Sequence, residues 1–168
     1  MIPKMNLEIR KATIDECETI FDLWIGSARW LQSKGIDQWN PSHFKIDQVR
    51  DCFEQGYELF LARWRDEVVG TCMICWSDAF IWKELDHDDA GYIHRFAVSR
   101  RHVGLAIGRQ LLQWAEDYIR SQGKHVVRLD CMTDNPRLNQ YYQSCGYEFV
   151  RVFHWDNGWR ANLYEKKP

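Results

Sequence analysis

Residues 99–112 read SRRHVGLAIGRQLL, in which Gly104, Ala106 and Gly108 run straight into a leucine-rich stretch. Glycine is a poor helix former, so its repeated use where a helix starts needs a reason. A helix that opens directly after a strand presents unpaired backbone N–H groups and the positive end of its dipole. Small residues at that point let an anionic group, such as a phosphate, come close to the main chain. Two familiar phosphate loops do not fit. The spacing is G-x-A-x-G rather than G-x-G-x-x-G, and the Walker pattern lacks its Gly-Lys-Ser/Thr. A nucleoside triphosphate is therefore disfavoured.

The elements around this turn follow from periodicity and punctuation. YIHRFAV (92–98) reads as the strand before it. Ile107, Leu111, Leu112, Ala115, Tyr118 and Ile119 share one face of the helix after it, which ends at Gly123. HVVRLDCM (125–132) reads as a buried strand, and Asn135-Pro136 supplies an N-cap and first helical position for a helix ending at Gly146. Residues 147–155 and 159–166 form a hairpin across Asn157-Gly158. Upstream, Thr13-x-x-Glu16 is a capping box that opens a helix with Ile20, Leu23, Trp24 and Ala28 on one side. A loop over 33–41, a helix over 47–55, a hairpin of 57–64 with 68–76, and a polar loop complete the chain. The expected fold is α/β: a mixed, largely antiparallel sheet with one splayed parallel pair, flanked by about four helices. The parallel pair should be joined by a right-handed crossover. At 168 residues the chain reads as a single domain, 1–168.

Composition narrows the class. A net charge of −2 argues against a general nucleic-acid binder. No apolar run approaches the roughly 20 residues of a membrane span, and MIPKMNLEIR lacks the apolar core of a secretory signal. A cytoplasmic protein, monomeric or homodimeric, is expected. Six cysteines (17, 52, 72, 75, 131, 145) raise the question of metal or disulfides. Cys72 and Cys75 have the spacing of a redox or zinc pair, but residues three apart on a strand point to opposite faces. They read as buried, reduced thiols, LDHDDA (85–90) reads as a solvated loop, and no metal is expected.

Arg101-x-x-Gly104-x-Ala106 resembles the R/Q-x-x-G-x-G/A signature of the GNAT superfamily of acyl-CoA-dependent N-acetyltransferases. Its setting between an F-A-V strand end and a leucine-rich helix strengthens the resemblance. So does NPRLNQYYQSCGYE (135–148), which looks like the second cofactor motif of that superfamily. The resemblance implies acetyl-CoA as acyl donor. Its pyrophosphate would rest on the backbone amides of Val103, Gly104, Leu105, Ala106, Ile107, Gly108 and Arg109. Its pantetheine arm would pair with Phe96, Ala97 and Val98 and touch Asn135. Arg100, Arg101, His102 and Arg109 would add positive potential. Tyr142 would protonate the departing thiolate, whereas Tyr141, about 100° round the helix, reads as core. An alkyl amine is almost wholly protonated at pH 7, so acetyl transfer also needs a base. His94 is the candidate, with Tyr92 on the same strand face. Many relatives carry a glutamate on this strand and this chain does not.

The resemblance also implies an acceptor pocket built from residues 29–39 and 76–92. Trp30, Trp39, Trp76, Trp82 and Tyr92 are the candidates there, beside Asp78, Glu84, Asp86, Asp88 and Asp89. Aromatic rings and carboxylates suit a cationic amine; equally, the tryptophans fill core and the acids solvate a loop. The expected activity is acetyl transfer to a primary amine of a small molecule by direct attack. A protein or peptide N-acetyltransferase, a non-catalytic acyl-CoA sensor and a plain interaction domain are the rival readings.

Overall fold

The computed structural model describes residues 6–36, 39–102 and 106–168. In chain order the elements are β1 (Glu8–Lys11), α1 (Cys17–Ser33), α2 (Ile46–Glu54), β2 (Glu58–Trp64), β3 (Glu67–Cys75), α3 (Ala79–Trp82), β4 (Ala90–Val98), α4 (Ile107–Ser121), β5 (Val126–Met132), α5 (Pro136–Ser144), β6 (Glu148–His154) and β7 (Arg160–Lys166). The seven strands are ordered β1-β2-β3-β4-β5-β7-β6 in one mixed sheet. This is the expected architecture with one addition. The four-residue α3 lies where the sequence reads as a polar loop, because a single turn is too short to show a period. It forms because Asp78 caps it, its Oδ1 accepting from the Ile81 amide at 3.4 Å.

The chain divides into two compact units, Met1–Ile74 with Arg95–Ala115, and Cys75–His94 with Glu116–Pro168. In the first, β1 and β2 are antiparallel from Glu8↔Arg63 to Lys11↔Phe60. β2 and β3 form the expected hairpin, with a register shift between Ala62 and Arg63. The Thr13 capping box is present, the Thr13 amide donating to Glu16 at 3.0 Å. Ile20, Trp24 and Ala28 of α1, Val49 of α2, Leu61 of β2 and Leu111 of α4 are fully buried. Gly70 permits a close approach: a Cβ there would stand 3.2 Å from Leu111 and 3.4 Å from the Ala97 carbonyl. The residue type at Gly70 thus sets how near β3 comes to the strand end at 96–98.

In the second unit β4 pairs in parallel with β5, Ala90 with Val126 through Tyr92 with Arg128. β5 pairs antiparallel with β7 from Val127↔Lys166 to Met132↔Ala161, and β6 closes against β7 across the Asn157-Gly158 turn. Asn135 caps α5 as expected, accepting from Leu138 N at 3.2 Å. The six cysteines are free thiols. Among the described residues, no helix is long and apolar enough to cross a membrane.

Glu116 of α4 is buried and answered twice, by the Tyr147 hydroxyl at 3.1 Å and by Lys166 Nζ at 2.7 Å. A buried carboxylate is tolerable only with such partners. Gly91 is where β4 meets α4 within this unit. A Cβ on it would lie 2.6–2.7 Å from three side-chain carbons of Ile119, which is fully buried and β-branched. Ile119 has little room to turn aside. Gly91→Ala should therefore destabilise the fold by about 1–3 kcal/mol, read as a lowered urea midpoint, and an unchanged midpoint would refute this account of the packing.

Candidate active site

Alternation along two adjacent strands assembles the first group of candidate side chains. Tyr92 stands opposite Arg128 on the β4–β5 pair, and the next residues on the same face of each strand are His94 and Asp130. The Arg128 guanidinium is 6% exposed and is held by several partners. It donates to the Leu85 carbonyl at 2.6 Å, to the Tyr92 hydroxyl at 3.0 Å and to Glu165 at 3.2 Å, and lies 4.1 Å from the Trp82 ring. One step along, His94 stands between two carboxylates. Asp78 Oδ2 is 3.1 Å from Nε2, and Asp130 Oδ2 is 4.0 Å from Nδ1. Asp78 Oδ2 is buried and takes no hydrogen bond, so its approach to the imidazole is an ion-pair distance without hydrogen-bond alignment.

Asp78 is held from behind by Asp86, which accepts from the Asp78 amide at 2.9 Å and the Ser77 hydroxyl at 2.7 Å. Burial opposes the charge on Asp86, but these bonds, with those of Tyr92 and the charge of Arg128, leave its pKa below the ordinary value. The acidic stretch 85–90 is therefore partly structural rather than a solvated loop. Asp78, His94 and Asp130 bring donor atoms within 4.8 Å of one another. The two carboxylates nevertheless address opposite ring nitrogens, whereas a single metal ion would bind one nitrogen. The geometry is that of a bracketed imidazole.

The second group surrounds the start of α5. Asn139 is saturated: its Oδ1 accepts from Tyr164, Asn162 and Cys131 at 2.7, 2.8 and 3.3 Å. Its Nδ2 donates to the carbonyls of Asn135 and Met132 at 2.8 and 3.0 Å. This network ties the α5 N-terminus to β5 and β7. Asn135 and Tyr142 are both buried. Tyr141, expected to be core, is only half-buried, whereas Tyr142 is buried. Tyr142 lies three residues beyond Asn139, on the helix face turned inward, among the rings of Tyr141, Tyr147 and Tyr164. Burial first, then the charges of Cys131 and Asp130, push the Tyr142 phenol well above its ordinary value. Cys131 and Cys72 are likewise pushed up to about 12 by burial.

In the first unit Ala97 is buried, while Phe96 and Val98 are half-buried. Val103, Gly104 and Leu105 lie outside the described residues. Ala106 is exposed, adopts φ +55° and accepts the first α4 bond from Gln110 N at 3.1 Å. A left-handed backbone is strained for alanine, and a methyl side chain offers no acceptor to the amides of the first turn. Gly108 is half-buried and Arg109 exposed. Two of the basic residues near this turn are committed within the unit: Arg100 lies 3.7 Å over the Trp30 ring, and His102 Nε2 is 3.1 Å from Glu67.

Each of the four candidate acceptor tryptophans faces a cation of the chain itself. Trp30 takes Arg100 at 3.7 Å, Trp39 takes Arg95 at 5.8 Å, Trp76 takes Lys124 at 6.0 Å and Trp82 takes Arg128 at 4.1 Å. Trp82 and Tyr92 are fully buried, whereas Trp30, Trp39 and Trp76 are partly exposed. Sequence reasoning missed Asp130 and Asn139. An aspartate within the otherwise apolar LDCM run, and an asparagine one helical turn after the cap, were the available signals.

Residues 20–147 match the Acetyltransferase (GNAT) family, and the chain belongs to that family. It is 33% identical over 146 residues to the uncharacterized N-acetyltransferase YesJ of Bacillus subtilis (strain 168), across 83% of this chain and 80% of that protein. A GNAT-family acetyltransferase from Listeria monocytogenes 4b F2365 aligns with TM-score 0.82 and 30% identity, over 100% of this chain and 98% of that one. The aminoglycoside acetyltransferase AAC(6')-Ib, solved with coenzyme A and kanamycin, has the same fold at TM-score 0.76 and 13% identity, over 96% of this chain and 95% of that one.

Asn139→Leu should destabilise the second unit by about 2–4 kcal/mol, because buried donors and carbonyls lose their partner. Equilibrium unfolding in urea reads this, and a loss below about 0.5 kcal/mol would contradict the role given to the network.

Proposed function

We propose that the protein transfers the acetyl group of acetyl-CoA to a primary amine of a small molecule by direct attack. The observation that carries the donor side is the start of α4. Ala106 holds a strained left-handed conformation, offers no side-chain cap, and leads into first-turn amides whose electrostatics suit a diphosphate. The amides of Val103 to Arg109 are proposed to hold that group, and Phe96, Ala97, Val98 and Asn135 the pantetheine arm.

In the proposed reaction His94 takes a proton from the acceptor ammonium. The amine nitrogen attacks the thioester carbonyl carbon, the C–S bond breaks, and the sulfur leaves as a thiol, the second proton that the nitrogen sheds replacing the one the sulfur takes up. Tyr142 is the proposed donor to that sulfur. Its raised pKa keeps it protonated throughout the working range, so it supplies a hydrogen bond at every pH but is a weak acid. The raised pKa values of Cys72 and Cys131 leave little thiolate for an acyl-enzyme route and support direct transfer. On the acceptor side the proposed residues are Trp30, Trp39 and Trp76, each partly exposed, with the buried Trp82 and Tyr92. The complex of an aminoglycoside acetyltransferase with coenzyme A and kanamycin is in keeping with a polyamine-like acceptor.

Ala106→Asp tests the donor site. Aspartate tolerates the left-handed region, so the fold is kept while a carboxylate meets the diphosphate. Calorimetry should show acetyl-CoA affinity falling at least about a hundredfold (charge repulsion in a partly desolvated site), and unchanged affinity would refute the site. Tyr142→Phe should lower kcat by about 10²–10⁴ with donor affinity kept; full turnover removes Tyr142 from the mechanism. A panel of polyamines, arylalkylamines, aminoglycosides, amino acids and peptides, read by coenzyme A release, tests the acceptor class.

A further inference from the structure

We infer that Asp78 and Asp130 are positioning residues that hold the His94 imidazolium formed when the acceptor amine gives up its proton. The inference rests on the reading of His94 as the base. One carboxylate faces each ring nitrogen, at 3.1 Å from Nε2 and 4.0 Å from Nδ1. All three side chains are only partly exposed, at 22% for His94, 11% for Asp78 and 18% for Asp130. In such a setting opposite charge acts strongly, and it favours the protonated ring.

Asp78 is fixed by the fold rather than by the histidine, and the backbone of Asp130 is fixed by the β5–β7 pairing. Asp78 is the cap of α3 and is braced by Asp86 through its amide. Asp130 sits on β5 opposite Leu163 of β7. Asp78 Oδ2 is buried without any hydrogen bond, an arrangement that costs stability unless a positive charge is expected beside it. A cation formed during turnover answers that cost. The other titratable groups of this unit near the two carboxylates are Asp86, bonded to the Asp78 amide, and Tyr142 and Cys131, both coupled to Asp130. The nearby cation Arg128 is already engaged with Glu165 and Tyr92.

The direction follows. Carboxylates that stabilise the imidazolium raise the His94 pKa, make it a stronger base, and place the acidic limb of kcat/KM at higher pH. Removing either charge moves the limb down and weakens proton abstraction.

The experiment titrates the His94 ring protons by NMR in the whole protein without substrates, using His94→Gln to assign the signal. Asp78→Asn keeps the helix cap and removes the charge; Asp78→Ser repeats this with a second capping side chain; Asp130→Asn removes the other. Each variant should lower the His94 midpoint by about one pH unit, and the kcat/KM limb should shift by the same amount. An unmoved titration in folded Asp78→Asn, Asp78→Ser and Asp130→Asn overturns the inference. The failure of its premise looks different: His94→Gln then keeps the acidic limb, whatever the titrations show.

Discussion

A guanidinium withdrawn from water must be met by partners on several sides, and Arg128 meets this demand in a way that organises the second unit. Its bonds reach Tyr92 on β4, Glu165 on β7 and the Leu85 carbonyl ahead of β4, while its face lies on Trp82 of α3. Four separate segments are thereby referred to one side chain. Since Tyr92 and Arg128 are paired across parallel strands, the residues two further on are placed as well. Those residues are His94 and Asp130. The same guanidinium fixes the segment whose start carries Asp78, so the bracket around the imidazole is a consequence of how a buried cation is satisfied.

Much of this fold can be read directly from residue types. Thr13 and Glu16 form their capping box, Asn135 caps α5, and Asn157-Gly158 turns the last hairpin with Gly158 at φ +89°. Each is a local signal whose physics operates within a few residues. The parallel pair follows from strand–helix–strand order alone. The short α3 is not legible, because its stability comes from one cap and from the fully buried Trp82 rather than from a repeating face.

The candidate site was half legible for the same reason. His94 and Tyr142 are visible through motif and strand position, but their surroundings depend on partners distant in the chain. Asp130 gains meaning only from the β4–β5 register, and Asn139 only from Tyr164 and Asn162 of β7. That Tyr142 is the more deeply buried of the two adjacent tyrosines follows from the inward face of α5, which it shares with Asn139. The tryptophans show the limit most clearly. Aromatic rings near acidic residues read as a cation site, yet the cations over Trp30, Trp39, Trp76 and Trp82 are arginines and a lysine of the chain itself. A ring carries no sequence mark that tells an internal cation from a bound one.

What the second unit controls is proton affinity. Burial pushes the Tyr142 phenol upward and leaves Cys131 a poor thiolate, so neither a strong acid nor a sulfur nucleophile is prepared on this side. An acyl transfer run without an acyl-enzyme places its main demand on the acceptor, because an ammonium has no lone pair to attack with. On the proposal that His94 is the base, an imidazole between carboxylates, set on the β4–β5 pair, is the arrangement among the described residues that would meet that demand. Raising base strength also costs availability, since a histidine with a higher pKa is neutral less often at a given pH. If His94 is that base, two carboxylates at unequal distances, one close and one farther off, would strengthen it while limiting how far that loss of neutral imidazole goes.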